Sequence, residues 1–132
     1  MRSVISALIA AGLCLSQPAF AASVQAAAAQ DSDYQAMLHC YGFHFFKIEL
    51  GTTINKPEIA DAGREQSQLD LNALRVYATR NGLAWRGVQA AADASAKERR
   101  AVYADPANRD KLMADQETCS NEAFADILIK YQ

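Results

Sequence analysis

The stretch from Asp33 to Leu50 reads DYQAMLHCYGFHFFKIEL and decides the fold. Its nonpolar residues recur every three or four positions, which is the spacing of one face of an α-helix. Residues 46–50 also alternate with the period of a β-strand, but no partner strand is evident elsewhere in the chain. The sequence therefore favours a helix over 33–50, with Gly51 as its C-terminal signal.

Aromatic residues are concentrated on this helix, at Tyr34, Tyr41, Phe43, Phe45 and Phe46. One face cannot bury all of them, so the helix is expected to be the central one, packed on more than one side. Because four of these residues fall within 41–46, the helix must also turn at least one aromatic ring outward, where it is available to a partner.

Three further amphipathic segments follow, at 57 to about 80, at about 83–104, and from about 107 to 131 with a pause near 118–121. Pro57 suits a first helical turn, and Pro106 breaks the chain before the last segment. Short connections join all four segments. They pack most simply as an all-α, up-down-up-down four-helix bundle.

The N-terminus has the pattern of a cleavable signal peptide over 1–21. Arg2 precedes an apolar run of 12 residues, Val4 to Leu15, and a polar segment then leads to small residues at Ala19 and Ala21. Cleavage is expected between Ala21 and Ala22. The mature chain is then a flexible leader over 22–32 and one helical domain over 33–132, located in the periplasm or secreted.

Two alternatives for the N-terminus are less favoured. An uncleaved membrane anchor needs about 20 apolar residues, and this run is shorter. A lipoprotein needs a small residue before the modified cysteine, whereas Leu13 precedes Cys14. The membrane is therefore expected to be involved only during export.

Removal of Cys14 leaves two cysteines, Cys40 and Cys119, in an oxidising compartment. We expect them to form one disulfide. The alternative is a metal site that combines Cys40 with His39 and His44, but only two of these three side chains can share a helix face.

The expected net charge of the mature chain is small. Thirteen basic residues less Arg2 leave 12 against 15 acidic residues in the mature chain, a net charge of −3, and the pI is near 5.6. A nucleic-acid-binding domain normally carries a basic patch and a high pI. Nucleic acid is therefore not an expected partner.

No catalytic grouping is evident. His39 and His44, the only histidines, lie five residues apart and point in different directions on a helix, and no hydrolase, zinc-protease or haem-attachment motif accompanies them. They remain weak metal candidates, and no cofactor is expected. The carboxylates that might form an acid–base pair are interpreted as solvated surface: Asp61, Glu65, Asp70, Asp115 and Glu117.

The most suggestive surface is a basic cluster of Lys97, Arg99 and Arg100, with Trp85 on the same segment. We therefore expect a small exported binding protein, of inhibitor or immunity type, with a protein partner in the cell envelope. The alternative is a ligand carrier or a metal- or haem-binding bundle that uses Met37 with the two histidines.

Overall fold

The computed structural model describes residues 16–132, and within them the chain is all-α with no strand. The predicted signal peptide therefore lies mostly outside the described residues. The helices are α1 (Ser16–Ala28), α2 (Ser32–Thr53), α3 (Pro57–Arg80), α4 (Trp85–Ala104), α5 (Arg109–Thr118) and α6 (Glu122–Lys130), with a 3₁₀ turn at Pro106–Asn108. The all-α prediction is confirmed, and residues 41–50 are helix.

Helix α2 is the centre of the bundle and contacts α3, α4, α5 and α6. Asp31 caps its N-terminus, where the carboxylate accepts hydrogen bonds from two backbone N–H groups. The helix does not end at Gly51, as the sequence suggests, but continues to Thr53. Gly51 instead permits close packing, since a Cβ there would lie 2.4 Å from the Ala60 nitrogen.

Helix α3 packs antiparallel to α2. Tyr34, at the start of α2, stacks on Tyr77, near the end of α3, with ring centroids 5.0 Å apart. At the opposite end, Gly51 of α2 meets Ala60 of α3. The short connection between the two helices allows this arrangement.

Helix α4 runs parallel to α2. The Ser95 hydroxyl donates to the Leu38 carbonyl oxygen at 2.6 Å. Further along both helices, the Arg100 guanidinium binds the Glu49 carboxylate. Contacts therefore follow the same order along both helices, so α2, α3 and α4 form the first three members of an up-down-up bundle.

The fourth predicted helix is divided into α5 and α6. The break falls at 119–121, where the sequence predicts a pause, and the Asn121 side chain caps α6 by accepting the Phe124 N–H at 2.9 Å. Helix α6 runs antiparallel to α2, because Phe124 lies beside His44 and Lys130 binds Asp33.

The predicted disulfide between Cys40 and Cys119 is present, with Cα atoms 5.4 Å apart. It links the middle of α2 to the residue that ends α5. Helix α5 itself has no buried residue. The disulfide is therefore a main attachment of α5 to the bundle.

Residues 22–28 form the end of α1, whereas the sequence predicts a mobile leader there. Ala28 is buried, Val24 packs against the core, and the Gln25 amide donates to the Tyr34 hydroxyl at 3.4 Å. Alanine has the highest helix propensity, so a segment without bulky residues still forms a helix. In the part of the chain that is described, no helix has the length and apolar character needed to cross a membrane.

Candidate functional site

The two histidines bind different carboxylates on different sides of α2. His39 Nε2 lies 2.8 Å from Asp115 Oδ1, and His44 Nδ1 lies 2.6 Å from Asp70 Oδ2. Cys40, the third residue of the hypothetical metal site, is in the disulfide. Within residues 16–132, no group of three histidines, cysteines or carboxylates is placed to hold a metal ion.

The His44–Asp70 pair is buried, with side chains 3% and 0% exposed. Burial raises the pKa of Asp70, although His44 opposes this effect. The interpretation of Asp70 as solvated surface is wrong. The sequence did contain a signal, because Asp70 precedes Leu74 by four residues and Tyr77 by seven, on the buried face of α3.

The packing does not favour the haem alternative. Met37 has no exposed surface, and His44 is held by Asp70 in the interior. Neither side chain is available as an axial ligand without repacking of the core.

Asp115, on α5, is the centre of a second polar network. Besides His39, it accepts a hydrogen bond from the Tyr103 hydroxyl, and its Oδ2 lies 3.6 Å from Arg99 Nη1. Burial and the neighbouring Asp115 carboxylate raise the pKa of Tyr103. The disulfide holds this network in place, because Cys119 follows Asp115 by one helical turn and Cys40 is adjacent to His39.

His39 borders a cleft of about 340 Å³ between α2 and α4. Ser95 lines the same cleft, but its hydroxyl donates to the Leu38 carbonyl oxygen. A serine nucleophile needs a hydrogen bond to its base, and His39 makes none with Ser95 in the described chain. The Ser95 hydroxyl therefore joins α4 to α2 at the wall of the cleft.

The residues of the expected interaction surface lie along α4, but not as one free basic patch. Arg99 is only 15% exposed and binds Glu98 at 2.5 Å, besides its approach to Asp115. Arg100 binds Glu49 through two nitrogens, with Nε at 2.8 Å, and Lys97 is exposed.

Trp85 lies at the other end of α4 and is half-buried, with the Arg75 guanidinium 4.8 Å above its ring. The structure therefore separates Trp85 from the basic residues with which the sequence grouped it. Two of the three cations already have carboxylate partners.

An apolar groove of about 320 Å³ lies between α3 and α6. Its lining combines nonpolar side chains with two amides at the edge: Leu69, Ala73, Val76, Leu128, Tyr131, Asn72 and Gln132. Leu69 is 43% exposed, although sequence periodicity places it on the nonpolar stripe of α3. Sequence reasoning missed this groove, because periodicity cannot show how much of a stripe a neighbouring helix covers.

The fold and these sites define a disulfide-linked, all-α bundle with a polar cleft on one side and an apolar groove on another. No protein-family model, curated protein or solved structure matches the chain.

Proposed function

We propose that the protein is an exported helical binding protein, of inhibitor or immunity type, that docks a protein of the cell envelope in the groove between α3 and α6. One observation supports this proposal. Neighbouring helices cover the nonpolar face of α3 only in part, so Leu69 stays exposed beside Val76 and Leu128. Contiguous exposed apolar surface is a common feature of protein interaction sites.

The lining of the groove specifies the chemistry of the partner. No charged side chain lines it, so nonpolar side chains of a partner displace water there without burying a side-chain charge. The two basic side chains at the end of the groove already have partners within the protein. Arg80 donates to the Lys130 carbonyl oxygen, and the Lys130 ammonium group binds the Asp33 carboxylate. We therefore expect the partner to insert nonpolar side chains, with its polar groups at the Asn72 and Gln132 edge.

Export is supported by the signal-peptide pattern and by the pairing of the two cysteines that follow residue 21. N-terminal sequencing of protein recovered from the periplasm is expected to begin at Ala22. Arginine at Ala19 and Ala21 is expected to block cleavage, because the peptidase accepts small residues there. Recovery of full-length, reduced wild-type protein from the cytoplasm contradicts export.

The docking surface is tested by quantitative capture of partners from the cell's own envelope fraction. Leu69→Lys places a charge in the groove, and Met113→Lys makes the same change at an exposed site on α5. A protein retained by the wild type and Met113→Lys but lost from Leu69→Lys supports the proposal. Identical capture profiles contradict it.

The Arg100→Ala variant distinguishes docking in the groove from docking on the basic residues of α4. Arg100 is half-exposed and bound to Glu49, so its removal leaves the groove intact. If Arg100→Ala loses the partner while Leu69→Lys keeps it, the partner docks on α4 and the groove is not the site. Circular dichroism of each variant checks that the helices remain.

A further inference from the structure

One exposed face of α3 is complementary to itself when the helix direction is reversed. Leu69, Asn72 and Val76 lie on this face and line the groove between α3 and α6. Glu65 precedes Leu69 by about one helical turn, and Arg80 follows Val76 by about one turn, so both lie on the same face. From its centre, the face therefore presents a nonpolar and then a charged residue in each direction, and the two charges are opposite.

The charges at the two ends of this face are not neutralised within the described residues. Glu65 is exposed and forms no ion pair within residues 16–132. Arg80 is also exposed, and its Nη1 donates to the Lys130 carbonyl oxygen, which has no net charge. The Arg80 guanidinium lies 5.6 Å from the centroid of the Tyr131 ring, which lines the groove. Because a guanidinium has five N–H donors, Arg80 retains donors for a carboxylate.

The walls of the groove favour a helical occupant. Both walls are α-helices, whose backbone hydrogen bonds are made within each helix, and most of the lining is nonpolar. An extended segment would bury N–H and C=O groups that these walls do not pair. A helix satisfies its own backbone and presents only side chains, so it buries no unpaired backbone group in the groove.

We propose that the protein forms a two-fold symmetric dimer in which α3 of a second copy occupies this groove and runs antiparallel to α3. With the two-fold axis between positions 72 and 73, Glu65 faces the partner's Arg80, and Leu69 faces the partner's Val76. The symmetry repeats each contact, because residues i and j of one protomer meet j and i of the other. Leu69, which is 43% exposed, packs into the groove of the partner, where the small side chain at position 73 leaves room.

A second copy meets the requirements of the groove together. It supplies a helix, a nonpolar side chain opposite each nonpolar position, an acid beside Arg80 and a base beside Glu65. This inference goes beyond the proposed function but rests on the same groove. The dimer is the form of the protein without its envelope partner, and that partner replaces the second copy when it docks.

Sedimentation equilibrium of the purified protein, as recovered from the cell with its disulfide intact, tests the dimer. The weight-average mass is expected to rise from one chain to two over about 10 μM to 1 mM, since a small interface is weak. Glu65→Arg and Arg80→Glu each place like charges opposite one another, and each is expected to weaken the dimer about tenfold. The double variant Glu65→Arg, Arg80→Glu re-forms both ion pairs and is expected to regain the dimerisation of the wild type.

A matched control and the named outcomes decide the proposal. Glu117→Arg makes the same charge change at an exposed position of α5 and is expected to leave the dimer unchanged. A monomer at every concentration overturns the proposal, and so does a double variant that is no more dimeric than the single variants. A monomeric protein that loses its envelope partner on Leu69→Lys refutes the dimer and leaves the docking proposal standing. A dimer that captures no partner through Leu69 gives the reverse result.

Discussion

Asp70 and His44 form a hydrogen bond of 2.6 Å in the interior of the bundle, and neither side chain is more than 3% exposed. The pair joins α3 to α2 at a point where the surrounding core is nonpolar. The second carboxylate oxygen, Asp70 Oδ1, has no hydrogen-bond partner among the described residues. A buried carboxylate with one partner depends on that partner, since loss of the contact leaves an unsatisfied polar group in the core.

Removal of one member of the pair is expected to destabilise the fold strongly. Asp70→Ala should lower the free energy of unfolding by about 1–3 kcal/mol, because the buried His44 side chain then lacks its hydrogen-bond partner. Asp70→Asn should cost less, since the amide retains a hydrogen bond. Urea unfolding followed by circular dichroism measures both. Asp61→Ala, at an exposed site on the same helix, is the control, and an equal loss there contradicts the prediction.

Substitution of two glycines by alanine is expected to change the free energy of unfolding in opposite directions. Gly42→Ala brings its methyl group within 3 Å of backbone and side-chain atoms of Ser95, and should lower the free energy of unfolding by about 1–3 kcal/mol. Gly87→Ala meets only Gln25, at 3.4 Å, and should be neutral or stabilising by up to about 1 kcal/mol. Thermal unfolding of the two variants provides the comparison. A stabilised Gly42→Ala variant would show that α2 and α4 can separate without cost.

Loss of the disulfide is expected to loosen α5 before the rest of the bundle. The closed loop spans 79 residues, for which the chain-entropy model gives an upper value of about 4–5 kcal/mol. Because α5 has no buried residue, its amide hydrogens should exchange fastest in the double variant Cys40→Ser, Cys119→Ser. Hydrogen exchange with mass spectrometry tests this. Unchanged protection of 109–118 contradicts it.

All five tyrosines have a raised pKa, with burial as the largest cause: Tyr34, Tyr41, Tyr77, Tyr103 and Tyr131. A pKa raised in the folded state contributes stability that is fully present below the unfolded value of 10.0 and is lost as the pH rises through the folded value. We therefore expect alkaline unfolding above pH 10. Phenolate absorbance and helicity should change together, whereas ionisation near pH 10 without loss of helix contradicts this.

The sequence predicted the parts of the fold that depend on local pattern. The period of the nonpolar residues in 33–50 identified α2 as a helix and as the central one. The disulfide was predicted by counting, because two cysteines remain after Cys14 is set aside. The break near 119–121 also followed from local polar residues.

The parts that depend on distant contacts were missed. Asp70 looks like a surface residue until His44, 26 positions earlier, is brought against it by the packing of α2 on α3. Gly51 looks like a helix terminator, although its role is to let Ala60 approach. The His39 side chain binds Asp115, 76 residues away, so no local pattern indicates this contact.

The single disulfide also has a consequence for biogenesis. In the exported form proposed here, Cys40 leaves the translocation channel before Cys119, and no other cysteine follows residue 21. Within residues 22–132 the two cysteines can pair only with each other, so this disulfide requires an oxidant but no disulfide isomerase. In that exported form, Cys40 has no intramolecular partner until residue 119 has also left the channel, so the disulfide forms late in export.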